Sequence, residues 1–333
     1  MTFEQYMLRS RAAMVSDLYQ HDREVAKLFS DLSDQIVKEL GAAADRGHER
    51  VVIRQLRSTA REMLSDYKGI VQDGLDSAAQ IQARNWNLGM KPYIQAMERG
   101  GVDLGPFGKE IRKIPVDAVQ AIYARTYSDG LFLSNRIWSI TPNAQNGIAK
   151  IVTQGLARGL HYDDPRIAEQ LNRFLQPVRK GRQVSPTVKR ILDKDLYKSS
   201  GGKEGYFEFR QRPVSFDAAR LLRSEYGNAY REAQHRSALL NPACYGEQWL
   251  LSTEHPDLGC ACEDYATHDE GLGEGVFRVE NTPITPHPSC LCDQLQVLVS
   301  IDEFMTAVDD FVQYNTGPLA RWFEGQFKGS VRV

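Results

Sequence analysis

Four of the five cysteines lie within one short stretch near the C-terminal end of the chain. They form two Cys-x-Cys pairs, Cys260 with Cys262 and Cys290 with Cys292, and His287 precedes the second pair. Thiolate and imidazole groups are the ligands that a tetrahedral Zn²⁺ ion prefers in proteins. The pattern therefore predicts one structural zinc held by the four cysteines, with His287 as the replacement for one of them.

The sequence leaves two other arrangements of these cysteines open. The thiols could form two cross-linking disulfides, or they could stay reduced and pack in a small core. His255 and His268 compete with His287 for a ligand position, and His287 is the best placed because it lies beside a cysteine pair. Cys244 lies outside the cluster, and we expect it to be a small packed thiol.

The chain around the cysteine pairs predicts a small α+β domain. The connector at residues 270–286 is rich in glycine and proline, which excludes a long helix. It has few apolar residues, so burial alone cannot hold it, and a metal would supply the missing cross-link. Apolar and β-branched residues predict strands over 246–253 and 294–300, on either side of the pairs. We therefore expect a Cys/His-rich α+β domain over 241–300.

Upstream of this domain, the sequence predicts a mainly α-helical body. Apolar residues recur at steps of three and four over 25–40, followed by Gly41 as a helix stop, and again from Leu56 past Ile81 toward Trp86 as one long helix. We divide the helical part into a long-helix region (1–110), a body (111–240) and a C-terminal segment (301–333) with helices over 301–314 and 319–327.

Prolines and one serine predict where several of these helices begin. Pro115, Pro142 and Pro165 each stand where the first turn of a helix would tolerate the missing backbone N–H. Ser215 is a good N-cap for a helix that extends to about residue 239. Long helices of this kind usually pack on a partner helix or another subunit, so self-association through them is a further possibility.

Composition and charge restrict the functional classes. The net charge of −2 over 333 residues gives no general argument for nucleic-acid binding. No apolar window is long enough to span a membrane, and the N-terminus does not resemble a signal peptide, so we expect synthesis in a reducing cytosol. A local basic segment over 173–194 includes Arg179, Lys180 and Arg182. It is either a solvated surface or a sequence-independent contact with double-stranded DNA.

A set of short motifs over about 215–298 carries a family resemblance. In chain order they are Arg223-Ser-Glu225 and Asn228-Ala-Tyr-Arg-Glu-Ala233 on one predicted helix, Trp249-Leu-Leu-Ser252, His255, the Cys260–Cys262 pair, Gly273-Glu-Gly-Val-Phe277 and Pro286-His-Pro-Ser-Cys-Leu-Cys292. This order resembles the minor head (head morphogenesis) proteins of tailed phages, a family that includes the F protein of Mu-like phages. Two features depart from its pattern: Leu291 stands where arginine is usual, and the first pair has Cys-x-Cys spacing.

The resemblance implies a minor structural protein of the phage head, associated with the portal vertex. Such a protein acts in head assembly or in DNA retention and ejection, and its partners are the portal or capsid proteins. The resemblance also implies a location in the virion head, with the host cytoplasm as the site of assembly, and no enzymatic activity. The absence of an H-E-x-x-H motif, a G-x-S-x-G motif and a phosphate-binding loop from the sequence is consistent with this expectation.

The alternative from the residues themselves is a zinc-dependent nuclease or hydrolase. In that case His255, Glu263, Asp264 or His268 would surround an activated water molecule. A catalytic zinc keeps one coordination position open, whereas a structural zinc is closed by four protein ligands. The cysteine-rich ligand set favours the closed, structural site.

Overall fold

A computed structural model of the protein describes residues 1–43, 48–127, 129–176, 213–252 and 260–326. The described residues form a mainly α-helical fold with one small three-stranded sheet near the C-terminus, which confirms the predicted fold class. The basic residues Arg179, Lys180 and Arg182 lie outside the described ranges, as does His255. The predictions made for them therefore stay predictions.

The order of the elements follows the chain. The helices before the sheet are α1 (Phe3–Ala43), α2 (Glu49–Met63), α3 (Tyr67–Gly89), α4 (Lys91–Arg99), α5 (Gly105–Ala124), α6 (Leu133–Ala157), α7 (Pro165–Leu175) and α8 (Val214–Leu239). They are followed by β1 (Cys244–Leu250), α9 (Ala261–Thr267), β2 (Val276–Phe277), β3 (Asp293–Leu298), α10 (Ile301–Tyr314) and α11 (Gly317–Gln326). Short 3₁₀ turns lie at Leu64–Asp66 and Val279–Asn281.

The chain forms two compact units. Unit 1 comprises Met1–Gln20, Val71–Leu133 and Leu222–Val333. Unit 2 comprises His21–Ile70 and Ser134–Leu221. Each unit therefore combines stretches that are distant in sequence, and the Cys/His-rich region belongs to unit 1.

Unit 2 is a helical body whose core follows the predicted apolar spacing. The apolar side chains of α1 at steps of three and four are buried: Val25, Phe29, Leu32, Ile36 and Leu40. Ser33 Oγ donates a hydrogen bond to Asn172 Oδ1 of α7 at 2.7 Å. Helices α6 and α7 approach closely at Gly147, where a Cβ atom would lie 2.1 Å from Phe174 Cζ. Glycine is required there because the phenylalanine ring occupies the space of a side chain.

Unit 1 contains the sheet, whose strand order is β2-β1-β3 with both pairs antiparallel. β1 and β3 are the two strands predicted from the sequence. Gln296 of β3 joins the sheet to the helices, because its Oε1 accepts hydrogen bonds from Trp86 Nε1 (3.1 Å) and Asn241 Nδ2 (2.8 Å). Phe304 and Phe311 of α10 are buried, so the C-terminal helices pack within this unit.

The long helix predicted from Leu56 toward Trp86 is interrupted. Helix α2 ends at Met63, and the 3₁₀ turn Leu64–Asp66 separates it from α3. Ser65 Oγ donates a hydrogen bond to the Glu62 carbonyl at 2.6 Å, and such local bonds compete with the helical ladder. The apolar period continues through the short turn, so the period alone could not reveal the break.

The prediction that Pro115 and Pro142 begin helices is wrong. Both residues lie inside helices, α5 and α6, and Pro106 is the proline in the first turn of α5. Burial of the helix face on which Ile114 lies compensates for the hydrogen bond that a proline removes. Pro165 does begin α7, as predicted.

Two predicted helix ends are also displaced. Helix α8 begins at Val214, so Ser215 lies in its first turn rather than at the N-cap, and the Pro213 carbonyl accepts the first hydrogen bond from Phe216 N–H at 3.1 Å. Helix α1 continues past Gly41 to Ala43. A glycine inside a helix lowers its stability but does not by itself end the helix. Packing of the apolar face of α1 therefore outweighs the effect of Gly41.

Candidate metal centre

The two cysteine pairs meet where α9 and the start of β3 come together in unit 1. Cys260 directly precedes α9 and Cys262 lies in its first turn, while Cys290 and Cys292 directly precede β3. Cys262, Cys290 and Cys292 are buried, and Cys260 is half-buried. The cluster also includes aromatic residues from the first two strands, Trp249 and Phe277. The fold therefore brings together the two pairs that the sequence separates by about thirty residues.

The donor atoms form two groups that could hold a metal ion. One group is Cys260, Cys262 and His287, and the other is Cys262, Cys290 and Cys292; within each group the donor atoms lie within 4.8 Å of one another. Cys262 belongs to both. All five cysteines of the chain are free thiols, including Cys244, which takes no part in either group.

The measured distances suit a tetrahedral ion. The Sγ atoms of Cys262 and Cys290 are 3.5 Å apart, and Cys260 Sγ lies 3.6 Å from His287 Nε2. With Zn–S and Zn–N bonds of ordinary length, tetrahedral geometry places two sulfurs about 3.8 Å apart and a sulfur and a nitrogen about 3.6 Å apart. A disulfide would instead require a bonded S–S distance of about 2 Å.

The side chain of His287 is oriented as a metal ligand. Its Nδ1 lies 3.1 Å from the Pro288 carbonyl oxygen, which can only accept a hydrogen bond. Nδ1 therefore carries the proton in the neutral ring, and Nε2 presents its lone pair toward Cys260. Metal-binding histidines usually donate their second N–H to a carbonyl or carboxylate in this way.

The three buried thiols differ in their readiness to ionise. Burial raises the pKa of Cys262 to about 12. The hydrogen bond with Cys290, together with burial, raises the pKa of Cys292, whereas the same contact and the nearby Arg231 guanidinium lower the pKa of Cys290. A metal ion must therefore displace protons from at least two of these sulfurs on binding.

Helix α8 supports the site through a chain of hydrogen bonds that begins at Glu225. Tyr127 Oη donates to Glu225 Oε2, and Asn228 Nδ2 donates to the same oxygen at 3.1 Å. Asn228 Oδ1 in turn accepts from Arg231 Nη2 at 2.9 Å. The motif residues Glu225 and Asn228 thus fix the position of Arg231.

Arg231 holds the backbone of the second cysteine pair. Its Nη1 donates to the carbonyl oxygens of Cys292 (3.2 Å) and Cys290 (3.4 Å), and its Nε donates to the Ile284 carbonyl at 2.9 Å. We did not single out Arg231 from the sequence. The signal that could have revealed it is a row of polar residues at helical spacing, Ser224, Asn228, Arg231 and Gln234, within the motif helix.

The residues of the predicted catalytic alternative do not join the ligand groups. Glu263 and Asp264 lie in the first turn of α9, and His268 stacks on Phe277 at 4.5 Å with Nε2 3.3 Å from Glu270 Oε1. Among the described residues, neither ligand group includes a carboxylate or His268. The geometry is that of a sulfur-rich site enclosed by protein ligands.

Comparison of the chain with protein-family models, with curated proteins and with solved structures gives no match. Within the described part of the chain, no helix combines the length and hydropathy that crossing a membrane requires. Function must therefore be inferred from the residues and from the geometry of the Cys/His cluster.

Proposed function

We propose that this chain is a minor structural protein of a tailed-phage head, associated with the portal vertex and acting in head assembly or in DNA retention and ejection. One observation carries the proposal: the separated motifs that resemble the head morphogenesis family meet in unit 1. Ser224 Oγ accepts a hydrogen bond from Ser289 N–H at 2.9 Å, beside the contacts of Arg231 with Cys290 and Cys292. Motif residues that hold one another in place support a single module with a structural role.

The same module is proposed to contain one structural zinc ion. Four of the five donors Cys260, Cys262, His287, Cys290 and Cys292 would bind it, and their separations are close to those of a tetrahedral site. The ion would join the start of α9 to the segment before β3, inside the cluster that also contains Trp249 and Phe277. Its contribution is to folding rather than to chemistry, because such a set leaves no ligand position for water.

A zinc-dependent nuclease or hydrolase is the alternative function. It has less support because the ligand groups are rich in cysteine and leave out Glu263, Asp264 and His268. Incubating the full chain with double-stranded DNA and RNA, in the presence of Zn²⁺ or Mg²⁺, distinguishes the two functions. We expect intact nucleic acid, and degradation that Cys262→Ser abolishes would favour the enzyme.

Association with the portal is the direct test of the proposed function. The full chain should be co-expressed with the portal protein of the phage that encodes it, and separately with the major capsid protein, before affinity purification. We expect recovery with the portal at a defined stoichiometry, and presence of the chain at low copy number in purified heads. Absence from heads together with no recovery of either partner would contradict the proposal.

A further inference from the structure

Arg231 is a buried charge without a carboxylate partner. Only 1% of the residue is exposed, and its hydrogen bonds go to backbone carbonyl oxygens and to the amide of Asn228. Within the described ranges, no carboxylate oxygen lies within ion-pair distance of its guanidinium. Carbonyl and amide groups satisfy its donors, so compensation of its positive charge must come from groups that it does not contact directly.

An uncompensated charge at such a position is costly. Removing an ion from water carries a penalty of several kcal/mol, which a nearby opposite charge must offset. Asp293 attracts Arg231 but also pairs with Arg11, whose Nε lies 3.9 Å from Asp293 Oδ2, so its charge is shared between two arginines. The other groups near Arg231 that can become negative are the sulfurs of Cys262, Cys290 and Cys292.

We propose that Arg231 is the counter-charge and positioning residue of the metal centre. It compensates the negative charge of the thiolate–metal complex, and its contacts with the carbonyls of Cys290 and Cys292 set the direction of both sulfurs. This inference rests on the metal centre of the proposed function. It adds that the site is assembled on helix α8, so that metal binding and the docking of that helix stabilise each other.

Charge balance also bears on the ligand set. A Zn²⁺ ion bound by three thiolates and one imidazole carries a single net negative charge, which one guanidinium neutralises. A zinc ion bound by four thiolates carries two, leaving an excess negative charge in a buried position. The balance with Arg231 therefore favours a set in which His287 takes the place of one cysteine.

The proposal is tested by measuring zinc affinity and stability together on the full chain. Zinc affinity is determined by competition with a chromophoric chelator, and urea unfolding midpoints are measured for zinc-loaded and zinc-free protein under reducing conditions. We expect Arg231→Met to weaken zinc binding about 10- to 100-fold, the usual effect of losing a residue that supports metal ligands. It should lower the midpoint of the zinc-loaded protein more than that of the zinc-free protein, because both forms lose the hydrogen bonds to the Ile284, Cys290 and Cys292 carbonyls and only the zinc-loaded form also loses a counter-charge.

Arg125→Met is the matched control. Arg125 is partly buried in the same unit, but it pairs with a carboxylate, Glu232, at 3.2 Å. We expect this variant to lower both midpoints alike and to bind zinc as the wild type does. If Arg231→Met behaves like this control, its role is purely structural and the proposal is overturned.

Arg231→Lys keeps the inference testable if the methionine variant fails to fold. Lysine retains the positive charge, but its ammonium group cannot contact three carbonyl groups as the planar guanidinium does. We therefore expect a smaller loss of zinc affinity than with methionine. Equal losses for Lys and Met would contradict a role in charge compensation. A wild-type chain that binds no zinc would overturn the metal centre itself, and that result is obtained without any Arg231 variant.

Discussion

Cys262 is the residue on which both possible ligand sets depend. It is fully buried and belongs to both groups of donor atoms, whereas each other donor belongs to one. Replacing any other cysteine of the cluster leaves one of the two groups complete, so a weaker site could still form. Loss of the Cys262 thiolate removes the sulfur through which the two groups are joined.

We therefore predict graded effects of the cysteine variants on zinc content. Cys262→Ser should abolish zinc binding, and Cys290→Ser should reduce it strongly, with faster hydrogen exchange over residues 260–298 while unit 2 is unaffected. Cys244→Ala is the control, because Cys244 belongs to neither group of donor atoms and its Sγ donates a hydrogen bond to the Gly246 carbonyl at 3.2 Å. Full zinc content in Cys262→Ser, measured by elemental analysis, would show that this residue is not a ligand.

The basic residues Arg179, Lys180 and Arg182 lead to a separate prediction at this scale. If they contact the phosphate backbone, the full chain should bind double-stranded DNA weakly, more tightly at low salt, and without sequence preference. Replacing all three with glutamine should flatten the dependence of the dissociation constant on salt. Absence of any binding by the wild type at low salt would identify this segment as a solvated surface.

At the residue scale, the sequence predicts ligands better than it predicts their supports. Cys260, Cys262 and His287 were identified because their residue types and spacing are unusual in themselves. Arg231 was missed because arginine is common on helices, and its role depends on which face of α8 meets the cysteine carbonyls. That face is set by packing between distant segments, which no local pattern encodes.

At the scale of elements, α6 packs closely against α7 at two glycines, Gly147 beside Phe174 and Gly155 beside Ile167. A side chain at Gly147 would overlap the Phe174 ring, and the helix backbone would have to move to make room. Alanine in a helix interior is favoured over glycine by about 1 kcal/mol, so two effects oppose each other at this position. Overpacking of a buried contact costs about 1–3 kcal/mol, and at such a short distance we expect it to prevail.

We predict that Gly147→Ala lowers the free energy of unfolding by roughly 1–2 kcal/mol net of the propensity gain. Gly41→Ala is the matched control in the same unit, because Gly41 is helical and a Cβ atom there would have no neighbour within 4 Å. It should raise the stability by roughly 0.5–1 kcal/mol. Urea unfolding of both variants measures whether each substitution raises or lowers the free energy of unfolding. An increase in stability with Gly147→Ala would contradict the close approach of Gly147 to the Phe174 ring.

The apolar period of the sequence predicted where most helices lie, but local residue preferences predicted their first and last residues less well. The period in α1 and α3 reflects burial of one face, which is a strong and repeated signal, whereas residues 224–234 of α8 are buried on all sides. Pro115, Pro142 and Ser215 were each interpreted as helix starts because their local preference is for the first turn. Packing of the surrounding apolar residues overrode that preference, since a cap contributes only about 1 kcal/mol.

At the scale of the whole molecule, the C-terminal helices have one packed face and one exposed face. Phe304 of α10 contacts Tyr93 edge to face with ring centroids 5.3 Å apart, and Phe311 stacks on Phe323 at 5.0 Å. In contrast, Tyr314 is 68% exposed. A deletion of residues 301–333 would therefore remove part of the unit 1 core, and point variants are the better test of partner binding.

We predict that the double variant Met305→Gln and Tyr314→Ser weakens co-purification with the portal protein without loss of stability. Both residues are exposed on α10, and exposed substitutions usually change stability by less than about 0.5 kcal/mol. Phe304→Ala is the contrasting variant, expected to destabilise by about 3–5 kcal/mol because it empties a buried aromatic site. Unchanged portal recovery with the double variant would exclude this surface and leave the long N-terminal helices as the candidate contact.

A metal centre would explain together the spacing of the cysteines, the orientation of His287 and the fold of residues 260–298. The most direct test is elemental analysis of the full chain purified under reducing conditions, combined with mass mapping of its thiols. We predict about one zinc per chain, released together with protons by a strong chelator. Protein that contains no metal, whether its four clustered cysteines are free thiols or form two disulfides, would contradict the account.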